Sequence, residues 1–433
     1  MDAPPEMSLA GDLRAWVTGL CRLAPGDDAE RIEMVRLLEK LKCAAAGAQA
    51  RLSRDFEDSQ LEAQRAAGVP ARDLGKGIAA QVALARRESP HRGSRLLGLA
   101  HALDEMPHAR LALARGEISE WRATVLARET ACLSRADRAV VDAELQSRPG
   151  GLESMSDRDV ERESRRIAYR LDPHAFTRRA AKAESERSVT VRPAPDTMAY
   201  LTGLLPAREG VAVYAALVKH ADSLRSEGDV RTRGQIMADT LVERVTGQAS
   251  ASGVPVEVHL VMTDAALLAG DAQPAEMAGF GPVPAPTART WLADAEGSVW
   301  LRRLYTSPGS GDLAAMDSTR RSFAGNLRRF IGIRDGLCRT PWCGAPIRHI
   351  DHARRAADGG ETSVVNGQGL CQACNLTKDA VGWQARVAAD GAVETLTPTG
   401  HRYVSRVPPS PAARGPSNRS RLEVFFRDFV LSA

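Results

Sequence analysis

The 433-residue sequence predicts a mainly α-helical protein with small α+β parts and a separate cysteine-bearing module near its C-terminal end. Its composition, 43% hydrophobic, 26% charged and 4% aromatic, is typical of a folded, helix-rich chain. Apolar residues recur at spacings of three and four along much of the first 185 residues, which is the period of an amphipathic helix. Four of the seven cysteines fall between residues 338 and 374, a distribution that indicates a metal site.

Residues 1–185 are predicted to form a helical region. No proline or glycine lies between Asp28 and Ala46, so we expect one long amphipathic helix over residues 28–68. The following helices are delimited by residues that start or stop a helix, namely Ser89-Pro90, Pro107, Gly116, Ser134, Pro149-Gly150-Gly151, Ser156 and Asp172-Pro173.

Residues 186–315 are predicted to continue this region as an α+β part. The expected elements are strands within 187–205, helices at 207–226 and 231–246, strand-like runs at 254–263 and 298–306, and a Pro/Gly-rich loop at 270–286. A domain boundary is expected near residues 310–318.

The C-terminal part is predicted to contain a compact module at 320–383 and a strand appendage at 384–406. The appendage is indicated by alternating apolar and polar residues at 383–388, 392–397 and 401–406. Residues 407–433 are expected to be a tail, with a Pro/Ser/Arg-rich linker at 407–420 and a short apolar helix or clamp at 421–431.

The chain shows no signal for export or membrane insertion. Its first residues, MDAPPEMSLAGDLRAWV, lack a basic stretch followed by an apolar core. The longest apolar run, Val211 to Val218, is far shorter than the ~20 residues of a membrane-spanning helix. We therefore expect a cytoplasmic protein without a membrane partner, in which Cys21, Cys43 and Cys132 are small buried apolar residues.

The four clustered cysteines form two pairs, Cys338 with Cys343 and Cys371 with Cys374. Four residues separate the first pair, two separate the second, and 27 lie between the pairs. This spacing allows two knuckles to close a tetrahedral Zn²⁺ site, whereas a disulfide framework is disfavoured in a chain without an export signal. Four thiolates leave zinc no open position, so the predicted Zn²⁺ is structural.

Positive charge is concentrated in the same part of the chain. Nine arginines and three aspartates lie between Arg320 and Gly360, which gives this stretch a charge of +6. The whole chain carries +4, so the remainder sums to −2. Such a local excess favours a phosphate-backbone partner, and a merely solvated arginine-rich face is the alternative.

The segment between and after the cysteine pairs resembles a known family. In order along the chain come Asp351-His352, Gly359-Gly360, Asn366, and Cys371-x-x-Cys374-Asn375-x-x-Lys378. This order is similar to the ββα-metal fold of HNH endonucleases. The resemblance implies that His352 is the general base, that Asp351 and Asn375 bind the catalytic metal, and that Asn366 orients the loop bearing the histidine. Asn375 stands where the name-giving pattern has histidine, so the chain resembles the HNN variant.

The residue types in this resemblance suit phosphodiester hydrolysis. Carboxylate and amide oxygens favour Mg²⁺ or Mn²⁺, and a neutral histidine can take a proton from water. Arg328, Arg329, Arg355 and Lys378 are predicted phosphate contacts, with plain solvated charge as the alternative. His349 is better explained as a strand or phosphate-contact residue than as a second base.

The upstream sequence resembles the 13E12-repeat proteins, in which a domain of unknown function precedes a C-terminal HNH module. The segments that carry this resemblance are SPHRGSRLLGLAHALDEMPHARLALARGEISEWRATVLARET, RRIAYRLDP, RPAPDTMAYLTGLLP and RGQIMADTLVERVTG. Together with the module, the resemblance covers roughly residues 70–410. It implies a metal-dependent endonuclease acting on DNA, most naturally duplex DNA. The alternative is a zinc-stabilised DNA-binding module with a helical interaction scaffold and no cleavage.

Overall fold

A computed structural model of the chain describes residues 9–247, 260–277, 279–293, 323, 325–388 and 390–408. Two compact units are present, one comprising Met1–Ser59 with Leu96–Thr177 and the other Gln60–Arg95 with Arg178–Ala433. The predicted run at 298–306, the boundary near 310–318, and the tail beyond residue 408 lie outside the described residues, as does most of the run at 254–263.

The described part of the chain is mainly helical with small sheets, as predicted. Its α-helices are α1 (Leu9–Leu20), α2 (Asp28–Ala66), α3 (Ile78–Ala85), α4 (Pro90–Asp104), α5 (Pro107–Ala114), α6 (Glu120–Glu129), α7 (Arg135–Gln146), α8 (Asp157–Leu171), α9 (Pro173–Ser185), α10 (Ala207–Ser226), α11 (Arg233–Thr246), α12 (Asp264–Leu268), α13 (Ala285–Ala293), α14 (Gly325–Asp335) and α15 (Gln372–Thr377). Its strands are β1 (Ser188–Pro193), β2 (Ala199–Leu204), β3 (Leu260–Val261), β4 (Ala275–Met277), β5 (Gly281–Val283), β6 (His349–His352), β7 (Gly367–Leu370), β8 (Gln384–Val387), β9 (Val393–Leu396) and β10 (Arg402–Ser405). Within the described ranges, no helix combines the length and hydropathy that a bilayer span requires.

The first unit is a helical assembly around one apolar core. The predicted helix over 28–68 is confirmed as α2, and the predicted starts at Ser134 and Ser156 are confirmed as N-caps of α7 and α8. Ser156 and Asp159 form a reciprocal capping box, which satisfies two backbone N–H groups that the first turn leaves unpaired. Prolines occupy the first positions of α4, α5 and α9, where their fixed φ suits a helix start.

A buried carboxylate ties two helices of this unit together. Asp142 on α7 is fully buried and accepts hydrogen bonds from the backbone N–H groups of His108 and Ala109, at 2.7 and 2.9 Å. Burial raises the pKa of Asp142 above its ordinary value, although the two N–H groups act in the opposite direction. The first turn of α5 is thus capped by a side chain from another helix.

The α+β part of the second unit largely follows the sequence prediction. Strands β1 and β2 pair antiparallel, and α10 and α11 match the predicted helices closely. The prediction of a loop over 270–286 is wrong, because this segment contains the hairpin β4–β5, which joins β3 in a three-stranded sheet. Each of these two strands has three residues, and β5 lies at the sheet edge, where Pro282 is tolerated without a ladder N–H.

The C-terminal part consists of α14, an antiparallel β6–β7 hairpin, α15 and the antiparallel sheet β8–β9–β10. The three strands confirm the predicted runs between 383 and 406. Phe323, Phe330, Ile331 and Val364 form a small apolar cluster where α14 lies against the hairpin. Asp335, at the end of α14, accepts a 2.7 Å hydrogen bond from the Gly369 N–H of β7. Helix α14 is therefore fixed to the hairpin by apolar and polar contacts.

Candidate metal centre and histidine–aspartate site

The two cysteine pairs are presented by two tight turns. In the first, the Cys338 N–H donates to the Ala345 carbonyl at 2.9 Å and the Cys343 N–H donates to the Thr340 carbonyl at 3.1 Å. In the second, Cys371 is the N-cap of α15, and its Sγ accepts a 3.4 Å hydrogen bond from the Cys374 N–H. Both turns direct their thiols inward, and all four cysteines are buried.

The sulfur geometry fits one tetrahedral ion. All four Sγ atoms lie within 4.8 Å of one another, and Cys343 Sγ is 3.7 Å from the sulfurs of both Cys371 and Cys374. These separations far exceed the ~2.05 Å of a disulfide. Four sulfurs about 2.3 Å from a central Zn²⁺ would lie about 3.8 Å apart. In the described part of the chain, this is the one group of three or more His, Cys, Asp or Glu side chains arranged to hold a metal ion.

The crowded thiols also favour a dication electrostatically. Hydrogen bonds from Cys343 and Cys374 lower the pKa of Cys338, and the same contacts raise the pKa of Cys343 and of Cys374. Ionisation of one thiol thus opposes ionisation of its neighbours. A bound Zn²⁺ would compensate four thiolates at once, so the donor set suits a structural zinc.

Asp351 and His352 lie at the end of β6. His352 is buried, with Nε2 2.8 Å from Thr362 Oγ1 and Nδ1 3.5 Å from Asp351 Oδ1. Its ring stacks at a tilt against Phe323, with 4.7 Å between the ring centroids. Thr362 and Phe323 were missed by the sequence reasoning, since nothing in their spacing marks them as partners of the histidine.

The Asp351 carboxylate has a cationic partner. Its Oδ2 lies 2.6 Å from Lys378 Nζ, and its Oδ1 accepts the His352 N–H at 2.8 Å. Burial alone would raise the pKa of Asp351, but the hydrogen bond and charge of Lys378 outweigh burial and lower it. Lys378 Nζ also donates to the His352 carbonyl at 2.9 Å. The predicted phosphate contact Lys378 is therefore engaged inside the module, where it links α15 to β6.

Asn366 fixes the loop that follows His352. Its Oδ1 accepts the Arg354 N–H at 2.8 Å, and its Nδ2 donates to the carbonyls of Arg354 and Glu361 at 3.0 and 2.8 Å. The side chain thus holds both ends of the loop, which is the arrangement that an orienting residue requires.

Asn375, the other predicted metal ligand, lies on α15, which packs against β6. Its Oδ1 is buried and has no hydrogen-bond partner. A buried carbonyl oxygen without a partner costs about 1–3 kcal/mol, so this oxygen is an acceptor open to a water molecule or a cation. Amide and carboxylate oxygens, such as those of Asn375 and of Asp351 on the neighbouring strand, are the ligand types that Mg²⁺ and Mn²⁺ prefer.

The predicted phosphate contacts fall into two groups. Arg328 and Arg329 are exposed on α14 and, with the exposed Arg348, line an open cleft of about 380 Å³ against β6. Arg355 is instead half-buried, where it donates to the Lys378 carbonyl at 2.9 Å and faces Asp379 at 3.3 Å. An exposed basic surface therefore runs beside the strand that carries Asp351 and His352.

Comparison with known proteins gives a family for the upstream region. Residues 35–335 match the model of a domain of unknown function, DUF222. The uncharacterized protein Rv3776 of Mycobacterium tuberculosis is 27% identical over 378 residues, covering 76% of this chain and 70% of the relative. The uncharacterized protein Rv2100 of the same species is 26% identical over 446 residues, covering 90% of this chain and 79% of the relative. No solved structure matches the chain significantly. The family match spans more than half of the sequence, and the chain belongs to the DUF222 family.

Proposed function

We propose that the module at 320–383 is a metal-dependent endonuclease of the HNH type that hydrolyses phosphodiester bonds in duplex DNA. The observation that carries this proposal is the buried His352 beside the partly exposed Asp351 at the end of β6, followed by the loop held by Asn366 and by the unpartnered oxygen of Asn375 on α15. A hairpin followed by a helix brings these residues together, in the order that the ββα-metal family uses.

The chain's own residues then divide the chemistry. In the tautomer in which Nε2–H donates to Thr362 Oγ1, His352 Nδ1 carries the lone pair that takes a proton from the attacking water, and Nδ1 lies 3.5 Å from Asp351 Oδ1. The water oxygen bonds to phosphorus, the bond to the 3′-oxygen breaks, and the leaving 3′-oxygen takes a proton from solvent, which leaves 5′-phosphate and 3′-hydroxyl ends. Mg²⁺ or Mn²⁺, held by Asp351 and Asn375, would stabilise the charge that develops on the phosphate and on the leaving oxygen.

Substrate binding is assigned to the arginine-lined cleft. Arg328, Arg329 and Arg348 are exposed on two elements of the module, and the cleft between them is open. Guanidinium groups bind phosphate oxygens in a sequence-independent way. The four cysteines have no part in the reaction, because a four-thiolate zinc keeps no position for water or substrate.

A binding module without cleavage is the second candidate. It is favoured by the ion pair between Asp351 and Lys378, since a lysine already compensates the carboxylate that would hold the catalytic metal. Binding to DNA would require the arginine cleft but neither a buried histidine nor the Asn375 oxygen. The two candidates therefore differ in the role of His352, which is the general base in a nuclease and is not required for DNA binding.

Plasmid relaxation with Mg²⁺ or Mn²⁺ separates the two candidates. The buried His352 and the exposed His349 lie three residues apart on the same strand, so His349→Ala is a matched control. We expect His352→Ala to lower cleavage by about 10²–10⁴-fold with DNA binding retained, and His349→Ala to keep cleavage near wild type. Equal cleavage by wild type and His352→Ala, or DNA binding without cleavage by wild type, would favour the binding module.

A further inference from the structure

Helix α3, which belongs to the DUF222 match, packs on the C-terminal part of the second unit. Leu84 of α3 forms a buried apolar cluster with Ala380 and Trp383, the residues that follow α15, and Tyr403 of β10 packs against this cluster. The contact joins segments about 300 residues apart in sequence. Helix α3 of the upstream region thus covers the residues that follow α15 with its apolar face.

A hydrogen bond between the buried Gln81 and the exposed Thr399 spans this contact. Gln81 is buried among the apolar residues of α3, and its Oε1 accepts a 3.0 Å hydrogen bond from Thr399 Oγ1 in the strand appendage. An unpaired buried amide would be costly, so the bond selects one position of α3 on the appendage.

Gly77, the N-cap of α3, allows the closest approach. A Cβ at Gly77 would lie 2.5 Å from Trp383 Nε1, a distance that real side chains do not adopt. Gly75 provides a natural comparison, because its φ of +80° is close to the +86° of Gly77. A Cβ at Gly75 would meet its nearest atom, from Leu61, at an ordinary 3.8 Å.

Behind this contact lies a small cavity of about 40 Å³. Its walls include Ala80, Ala83 and Leu84 from α3 and Leu370, Cys374 and Lys378 from the module. Cys374 belongs to the thiol cluster, and Lys378 holds the Asp351 carboxylate. Helix α3 therefore covers the side of α15 that carries a residue of each site.

We infer that α3 is an intramolecular docking partner of the C-terminal module and a positioning segment for it. By holding Trp383 and the turn after α15, α3 keeps Cys374 in the thiol cluster and Lys378 against Asp351. Its effect on cleavage rests on the proposed function, whereas its effect on the thiol cluster does not. One role of the domain of unknown function is therefore to stabilise, through α3, the module that follows it.

The test compares Gly77→Ala with Gly75→Ala in the full chain. Both changes put a Cβ on a left-handed glycine, so they share the backbone strain, and only Gly77→Ala meets Trp383. The readouts are hydrogen exchange of peptides covering 376–388, the rate of zinc transfer to a chromogenic chelator, and single-turnover plasmid cleavage. Overpacking of this kind predicts about five- to hundredfold faster exchange and zinc transfer for Gly77→Ala than for Gly75→Ala.

A second change makes the test specific to the contact. Trp383→Phe removes the pyrrole edge that a Cβ at Gly77 would meet, so the double variant should recover much of the loss caused by Gly77→Ala. The effects of Gly75→Ala and Trp383→Phe should simply add. If Gly77→Ala does not fold, Thr399→Val removes the hydrogen bond to Gln81, together with the Thr399 contacts to Thr397 Oγ1 and His401 Nδ1. It should move the same readouts in the same direction by a smaller amount.

The outcomes separate the inference from the proposed function. Equal exchange and zinc transfer in the two glycine variants, or no recovery with Trp383→Phe, would overturn the docking role. Faster exchange and zinc transfer in Gly77→Ala, in a chain whose wild type cleaves no DNA, would support the docking role of α3 and contradict the proposed nuclease activity.

Discussion

The helical unit and the cysteine-bearing module reach stability by different means. The helical unit buries 23 residues in one apolar cluster that includes Met106, Leu113 and Leu145. The corresponding cluster around the cysteines has five buried residues, of which four are the cysteines themselves. The apolar cluster between α14 and the hairpin adds four more buried residues. Clusters this small offset little of the entropy of ordering the loops, so a metal ion held by the four thiols would supply stability that the helical unit obtains from its core.

Removal of the zinc site should give the largest effect. Structural zinc sites contribute about 10–16 kcal/mol, comparable to the ~5–15 kcal/mol that stabilises an entire domain. Cys371→Ser should therefore unfold residues 335–380 and leave the helical unit folded, as limited proteolysis with mass spectrometry of the fragments would show. Cys21 was predicted to be buried but is exposed, so Cys21→Ser is the control and should change nothing. Metal analysis that finds no zinc in the wild type, or a protease-resistant module in Cys371→Ser, would contradict this account.

A cavity in the helical core should produce the opposite pattern. Leu113 is fully buried on α5, while Leu111 two residues earlier is 47% exposed. We expect Leu113→Ala to lower the free energy of unfolding by about 2–5 kcal/mol, and Leu111→Ala to lower it by far less. Zinc content should stay at the wild-type value in both variants. Urea unfolding followed by circular dichroism, with metal analysis of the same samples, checks both statements; loss of zinc from Leu113→Ala would show that the two regions are not independently stabilised.

The arginine cleft should produce a smaller, salt-dependent effect. If about four arginines reach phosphates, the slope of log affinity against log salt should be near −4, at roughly −0.9 per neutralised phosphate. Arg328→Ala combined with Arg329→Ala should flatten that slope by about two without altering sequence preference. Arg402→Ala, at an exposed arginine of the strand appendage, is a control outside the cleft. Fluorescence anisotropy with labelled duplex DNA provides the measurement, and an affinity independent of salt would exclude the backbone-binding role.

Regular elements were the most predictable features of this chain. The helix predicted over 28–68 is observed at Asp28–Ala66, because its period is long, no proline interrupts it and its single glycine, Gly47, does not end it. The helices and strands between 187 and 246 were located equally well. Strands β4 and β5 were missed, since three residues are too few to show an alternating period and the Gly281-Pro282 pair of β5 indicates a loop.

The order and spacing of residues in the sequence predicted which residues form the candidate site, but not all the contacts between them. The cysteine spacing predicted four buried thiols that lie together, and they do. The pairing of Lys378 with Asp351, 27 residues apart, and of Thr362 with His352, ten apart, depends on the path of the intervening loops. The contact between Trp383 and α3 is more distant still, and no local pattern in one sequence encodes it.

The most direct test of the central claim is single-turnover cleavage by wild type, Asp351→Ala and His352→Ala across a Mn²⁺ titration at matched salt. Asp351→Ala loses a metal ligand, so high Mn²⁺ should restore part of its activity. His352→Ala lacks the base at every metal concentration and should remain about 10²–10⁴-fold slower than wild type. Cleavage by His352→Ala at the wild-type rate would contradict the assignment of His352 as the base and leave DNA binding as the module's function.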